Sequence, residues 1–117
     1  MKVKIGATEY DVKVVDEDNL VKDYEGFGDD VADGNMCGFM CPAFNIIRVR
    51  EDIPDKSRIH TFLHECVHAM LWEIGSELYH NEGFVEAFAK QLYGFIDNNN
   101  LEKIYAQIGE KKYGRRN

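Results

Sequence analysis

The spacing of apolar residues changes near residue 51, and this change constrains the fold more than any other feature of the sequence. Before that point the segments VKIG, YDVKVV, GFMC and FNIIRVRE show the alternation and short apolar runs typical of β-strands. From residue 55 onward apolar side chains recur every three or four residues, as in amphipathic helices. Strands followed by helices predict an α+β domain, with a small antiparallel or mixed sheet covered by helices.

The first 51 residues are predicted to be mainly strands, arranged in two pairs. Gly6 to Glu9 is the predicted turn of the first pair, and Cys41 to Asn45 that of the second. Pro42 supports the second turn because proline cannot donate to a central ladder. Residues 19–35 are polar and rich in Gly and Asp, which favours a long loop with room for a turn of helix.

Three helices are predicted in the second half, over residues 55–75, 81–97 and 99–112. Gly75 is placed to end the first of them, and the run Asn98 to Asn100 to end the second. The third has the weakest pattern. Because 117 residues is the size of one compact unit, residues 1–117 are expected to form a single domain.

Composition and charge exclude several classes of function. The net charge is −7 and the acidic residues are spread along the chain, which argues against nucleic acid as a partner. No apolar run approaches the roughly 18 residues of a membrane span. The start, MKVKIGATEYDV, lacks the apolar block of a secretory signal, so we expect a cytoplasmic protein. The sequence carries no signal for an oligomeric state.

The cysteines and the basic tail have simple interpretations. Three cysteines cannot all pair within one chain, and the spacing of Cys37 and Cys41 in CGFMC is one that no common zinc module requires. We therefore expect reduced thiols, with a disulfide or a soft-metal clip between Cys37 and Cys41 as the alternative. The tail KKYGRR, residues 111–116, is interpreted as a solvated end, with a docking tail as the alternative.

The motif HECVH, residues 64–68, lies in the middle of the first predicted helix. His64 and His68 are four residues apart, so they project from one helix face and both imidazoles can reach one ion at about 2.0–2.1 Å. Glu65 is rotated by about 100° from His64 and flanks that ion closely enough to hold its bound water. Cys66 points further round and is expected to pack in the core. The motif predicts a zinc centre with Glu65 as the catalytic residue.

A zinc ion that keeps one position open for water needs a third protein ligand. The second predicted helix offers Glu82 and Glu86 on one face, and the connection before it offers His80. We favour Glu82, although a carboxylate at the start of a helix also stabilises the positive end of the helix dipole. His80 and Glu86 stay as alternatives.

The segments HECVHAMLWEIG and NEGFVEAFAKQLYGFI resemble the small, often phage- or plasmid-borne zinc metallopeptidases of the minimal gluzincin type, relatives of the ImmA/IrrE group. In that family the second helix carries a glutamate ligand in a pattern close to E-x-x-A-[DN]-x-F-A, and here Glu82, Phe88 and Ala89 match it. Val85 and Glu86 depart from it, standing where the family has a small Ala and an Asp or Asn. The resemblance covers roughly residues 39–99. It implies a minimal zincin with one Zn²⁺ bound by His64, His68 and Glu82, and Glu86 as an outer partner of a ligand histidine.

The resemblance also implies a peptide or protein substrate, held as an extended strand along an edge strand beside the active helix. Residues 44–50 are the candidates for that edge strand. Glu65 would take a proton from the metal-bound water and pass it to the leaving amine. Tyr79, His80 and Tyr93 are candidate donors to the oxyanion. His60, one turn before His64, is interpreted as an ordinary surface or packing residue.

Three functional hypotheses follow from the sequence. The first is a zinc-dependent metallopeptidase, and the second is a zinc-binding regulatory or interaction module with little or no turnover. The third is a structural domain without metal. The second hypothesis has a physical basis because so short a chain has little surface left for a substrate cleft. Metal analysis separates the third hypothesis from the others, and a peptide-library assay separates the first from the second.

Overall fold

A computed structural model of the protein describes residues 1–27 and 36–110. It contains a mixed four-stranded sheet and four α-helices within these residues, which confirms the predicted α+β class. The elements are β1 (Lys2–Ile5), β2 (Thr8–Val15), α1 (Glu17–Phe27), β3 (Gly38–Cys41), β4 (Ile46–Arg50), α2 (Asp55–Glu73), α3 (Glu82–Asp97) and α4 (Leu101–Glu110). A short 3₁₀ turn, Glu77–His80, joins α2 to α3. None of the helices in this described part has the length and apolar character needed to cross a membrane.

The sheet has the strand order β1-β2-β4-β3. β1 and β2 form an antiparallel hairpin, whose predicted turn is present with Gly6 at a φ of 60°. β4 pairs in parallel with β2 on one side and antiparallel with β3 on the other. Pro42 lies in the turn between β3 and β4, as predicted.

The prediction that residues 44–50 form an edge strand is wrong, because β4 is an interior strand. Ile46 and Ile47 are successive residues that point to opposite faces of the sheet, and both are buried. A strand with buried side chains on both faces is covered on both faces, which favours an interior position. The edge strand on this side of the sheet is β3, which also packs against α2.

The two faces of the sheet are covered by different helices. The face toward α2 contributes Ile47 and Val49 to a buried cluster that also contains Cys66 and Ala69 of α2. The opposite face contributes Ile46 to a cluster with Leu20 of α1. The sheet therefore forms the middle layer between α1 and α2.

Helix α1 occupies part of the segment that was predicted to be a long loop, and that prediction is wrong for residues 19–27. Asp16 caps the helix by accepting a hydrogen bond from the Asn19 backbone N–H at 2.8 Å. Leu20 is buried, and Tyr24, one turn later, packs edge-on against Phe39 with ring centroids 5.3 Å apart. Tertiary contacts at two positions thus stabilise a helix whose other residues are mostly polar. The rest of the predicted loop, residues 28–35, lies outside the described residues.

Arg48 of β4 is a buried charge that ties α1 to the sheet. Its Nε donates to Asp23 of α1 at 3.0 Å, and one terminal nitrogen donates to the Asp11 backbone carbonyl at 2.9 Å. The other terminal nitrogen lies 3.5 Å from the Asp11 carboxylate. Only 5% of the Arg48 side chain is exposed, so its charge depends on these partners in place of water.

Replacing Arg48 by methionine is expected to lower the free energy of unfolding by about 2–3 kcal/mol. The methionine keeps much of the buried volume but removes the hydrogen bonds to charged and backbone acceptors. It also removes the buried guanidinium beside Asp23 and Asp11, although Asp11 keeps its contacts with Lys2 and Lys13. Urea unfolding of the two proteins measures the change. Arg50→Met is the matched control, because Arg50 makes its ion pairs with Glu17 and Asp52 at the surface. Equal losses from Arg48→Met and Arg50→Met would contradict the structural role given to Arg48.

The boundaries of the two long helices agree with the predictions. Helix α2 ends at Glu73, and Gly75 follows it with a φ of 69°, a left-handed conformation that glycine adopts without strain. Helix α3 begins at Glu82, and the side chain of Asn81 caps it by accepting from the Phe84 backbone N–H at 2.9 Å. Helix α3 packs on α2 through a second buried cluster, formed by Val67, Leu71, Val85 and Ala89.

Candidate metal centre

Helix α2 presents HECVH between the two layers that it contacts. Cys66 and Ala69 face the sheet, whereas Val67 faces α3. His64 and His68 project from the part of the helix surface between these two buried faces. Their side chains are 20% and 13% exposed. The core-packing role predicted for Cys66 is consistent with its burial, which also raises the pKa of its thiol to about 12.

One carboxylate oxygen meets both histidines of the motif. Glu82 Oε1 lies 3.1 Å from His64 Nε2 and 2.9 Å from His68 Nε2. Ligand atoms around a tetrahedral zinc with bonds of about 2.0–2.1 Å are separated by roughly 3.3 Å, so these distances are close to those of a ligand set. The three atoms all lie within 4.8 Å of one another. The structure thus brings together the three residues predicted as ligands.

The other ring nitrogens of the two histidines have acceptors of their own. His68 Nδ1 lies 2.9 Å from the Tyr79 backbone carbonyl, and His64 Nδ1 lies 2.9 Å from Glu86 Oε1. A proton on Nδ1 that is held by an acceptor leaves the lone pair on Nε2, which is the atom pointing at Glu82. Glu86 thus lies beside the ring nitrogen of His64 that does not face Glu82. His80 is not part of this group of atoms.

The charges around His64 act on it in opposite directions. Partial burial lowers the pKa of His64, but the hydrogen bond with Glu86 and the negative charges of Glu65 and Glu82 raise it, and the net direction is upward. The same carboxylates would favour a cation held between the ring nitrogens. The donor set, two imidazole nitrogens and one carboxylate oxygen, fits zinc.

Glu65 lies next to these ligands and is buried, with 8% of the residue exposed. Burial raises the pKa of its carboxyl to about 7, and the repulsion from Glu82 adds to this while His64 opposes it. If Glu65 had no role at a metal site, it could form a surface ion pair with Arg58. Arg58 instead contacts Asp55 and the backbone carbonyls of Glu51 and Ile53.

A cleft of about 530 Å³ opens beside Glu65, His68 and Glu82. Its remaining wall is formed by residues of α1, of β3 and the segment before it, and of the 3₁₀ turn, namely Tyr24, Met36, Gly38, Phe39, Met40, Tyr79 and His80. Gly38 brings β3 close to α2, because a Cβ at this position would lie 2.7 Å from the Thr61 methyl carbon and 2.7 Å from the Arg48 carbonyl oxygen. The edge strand can thus lie directly beside the helix that carries the histidines.

The three candidate oxyanion donors lie in different places. Tyr79 and His80 line the cleft together with Glu65. Burial raises the pKa of the Tyr79 phenol, which keeps its hydroxyl protonated and able to donate. Tyr93 lies away from the cleft, with its ring 6.3 Å from that of His60. Tyr79 and His80 thus stay as candidates on geometric grounds.

Two features of this region were missed in the sequence. His60 is not an isolated surface residue, because its Nε2 lies 3.0 Å from Glu86 Oε1. The sequence did place His60 one turn before His64 on the same face of α2, and this shared face could have indicated that the two histidines have a common partner. The close approach at Gly38 had no signal, since it depends on the distance between a strand and a helix that are separated in sequence.

Comparison of the chain with protein-family models, curated proteins and solved structures gives no match.

Proposed function

We propose that the protein is a zinc-dependent metallopeptidase. The observation that carries the proposal is the convergence of His64 Nε2, His68 Nε2 and Glu82 Oε1 beside the buried carboxyl of Glu65. Three protein ligands with a carboxylate next to them are the arrangement of a hydrolytic zinc site, in which one position stays open. A purely structural zinc site would be closed by a fourth protein ligand.

Zinc, when bound, supplies a Lewis acid that polarises a carbonyl group and lowers the pKa of water. Glu65 accepts the proton of the attacking water and delivers it to the leaving amine. Its position suits this task, because the carboxyl is buried beside the three ligand atoms and desolvation raises its pKa in the metal-free site. Tyr79 or His80 donates a hydrogen bond to the developing oxyanion.

The substrate that fits the cleft is a peptide or a segment of protein in extended conformation. β3 is an edge strand, so its outer backbone groups can pair with such a segment. The side chains of Met36 and Met40 line the cleft and offer apolar contacts for a substrate side chain. Binding through backbone groups gives loose sequence preference. The proposed partner is thus a peptide or protein, without nucleic acid or a membrane. The proposed location is the cytoplasm.

The second candidate is a zinc-binding interaction module with little turnover. It is favoured by exposed apolar side chains outside the cleft. On α3, Phe88 and Phe95 are 46% and 56% exposed, and on α4 Tyr105 and Ile108 are each 66% exposed. Exposed apolar groups of this kind mark interaction surfaces when they are contiguous. The cleft beside Glu65 favours the enzyme over this alternative.

The protein is expected to bind one zinc ion per chain. Elemental analysis of protein purified without added metal or chelator, and then reconstituted with zinc, measures the stoichiometry. Reconstituted protein without zinc would contradict the metal centre and leave only a structural domain. A zinc-loaded protein that cleaves nothing in a broad peptide library would contradict the peptidase and support the interaction module.

A further inference from the structure

His60 shares a single carboxylate oxygen with His64. Glu86 Oε1 lies 3.0 Å from His60 Nε2 and 2.9 Å from His64 Nδ1. The two histidines come from consecutive turns of α2, while Glu86 comes from α3. A carboxylate oxygen has lone pairs for more than one N–H donor, so Glu86 Oε1 can accept from both rings at these distances.

Glu86 needs such a second anchor. Its side chain is 42% exposed and has three rotatable bonds, so the hydrogen bond to His64 alone fixes its carboxylate poorly. Lys90 lies one turn further along α3, with its ammonium 3.8 Å from the other carboxylate oxygen, but 67% of the Lys90 side chain is exposed to solvent. His60 is better held, because 25% of its side chain is exposed and its ring lies edge-on to Tyr93.

We propose that His60 is a positioning residue for the metal centre. It holds the Glu86 carboxylate in the place where that carboxylate fixes the proton on His64 Nδ1 and the orientation of the ring. His64 Nε2 is thereby aimed at the position between His68 and Glu82 before an ion arrives, so less conformational freedom is lost on binding. The proposal rests on the zinc site of the proposed function, but it does not depend on peptide hydrolysis.

A second metal ion is the competing explanation of the same atoms. His60 Nε2, His64 Nδ1 and a Glu86 oxygen also lie within 4.8 Å of one another. Binding of one ion by His64 Nδ1 and another by Nε2 would require the ring to lose both of its protons. A neutral imidazole keeps one N–H, and Glu86 is placed to accept it. The hydrogen-bonded arrangement therefore has the simpler chemistry.

The test is the zinc affinity of the full chain, measured by competition with a chromophoric chelator. His60→Leu is expected to weaken zinc binding about 10- to 100-fold, the usual cost of losing an outer partner of a ligand. His60→Gln retains an N–H donor and is expected to stay within a few-fold of the parent. Lys90→Leu is the control, since Lys90 contacts the other Glu86 oxygen from an exposed position, and it is expected to leave the affinity within a few-fold of the parent.

A double-mutant comparison tests whether His60 acts through Glu86. In a Glu86→Ala background, His60→Leu is expected to cause no further loss of zinc affinity, because the residue through which it acts is gone. Equal losses from His60→Gln and His60→Leu, or a full His60 effect without Glu86, would overturn the proposal. Two zinc ions per parent chain and one in His60→Leu would overturn it in favour of a second site. A parent that binds no zinc would overturn the centre itself, whereas a zinc-binding parent without peptidase activity leaves these comparisons intact.

Discussion

Replacing Glu65 by glutamine is expected to reduce peptide cleavage by at least the roughly 10² to 10⁴ usually credited to general acid-base catalysis. Glutamine keeps the shape of the side chain and can still hydrogen bond, but it cannot accept and return a proton. Glu65 is adjacent to the metal ligands without being one of the converging ligand atoms, so zinc content is expected to stay near that of the parent. The measurement pairs metal content with hydrolysis of the same peptide by both proteins.

A suitable control for this substitution is Glu77→Gln, which makes the same chemical change at an exposed position of the 3₁₀ turn. Its activity and zinc content are expected to match the parent. Burial of the Glu65 carboxyl predicts that Glu65→Gln does not lower the free energy of unfolding, since a neutral amide costs less to bury than an anion. If zinc-loaded Glu65→Gln hydrolysed the peptide as fast as the parent, the catalytic role proposed for Glu65 would be contradicted.

Replacing Glu82 by alanine is expected to weaken zinc binding by more than the roughly 100-fold upper range for outer partners. Glu82 supplies the one oxygen that meets both histidine nitrogens, at 3.1 and 2.9 Å, so in the proposed zinc site its loss would remove a direct bond to the ion. Glu86→Ala removes only the acceptor of His64 Nδ1 and is expected to cost about 10- to 100-fold. His80→Ala is expected to have little effect. Competition with a chelator measures all three affinities.

The comparison between the two glutamates is well matched, because they lie one turn apart on the same helix and truncate to the same residue. A larger effect of His80→Ala than of Glu82→Ala would move the third ligand to the connection before α3. The resemblance to the gluzincin type would then not extend to the ligand set, since that type takes its third ligand from the second helix. Equal effects of Glu82→Ala and Glu86→Ala would contradict the distinction between direct ligand and outer partner.

The parts of the fold that the sequence predicted are those with a strong local pattern. The two long helices were predicted because their apolar residues keep one face over several turns, and their ends because Gly75 and the run Asn98 to Asn100 are residues that commonly follow a helix. HECVH in the middle of α2 fixed the relative position of His64 and His68, since four residues make about one turn. Local periodicity is sufficient for features of this kind.

The parts that could not be predicted depend on contacts between distant segments. Among the described side chains of α1, Leu20 is buried and Tyr24 packs against Phe39, and their partners on the sheet are distant from them in sequence. The interior position of β4 follows from a parallel pairing with β2, which the wrong edge-strand prediction did not foresee. The link from His60 to Glu86 depends on how α3 is rotated against α2, and periodicity within one helix carries no information on that angle.

Helix α2 packs on the sheet through one buried cluster and on α3 through another, separate one. The residues of the candidate metal centre therefore lie on elements that can differ in local stability. Moving α3 away from α2 exposes their shared cluster, in which Tyr79 and Leu92 pack against four buried residues. Separating the sheet from α2 exposes the larger cluster of seven buried residues. When α3 separates from α2, His64 and His68 stay packed with the sheet, whereas Glu82 and Glu86 move with α3. Regional opening has its own free energy, lower than that of global unfolding. Amide hydrogens of α3 should therefore exchange with solvent sooner than those of α2, and the ion should slow that exchange in α3 selectively.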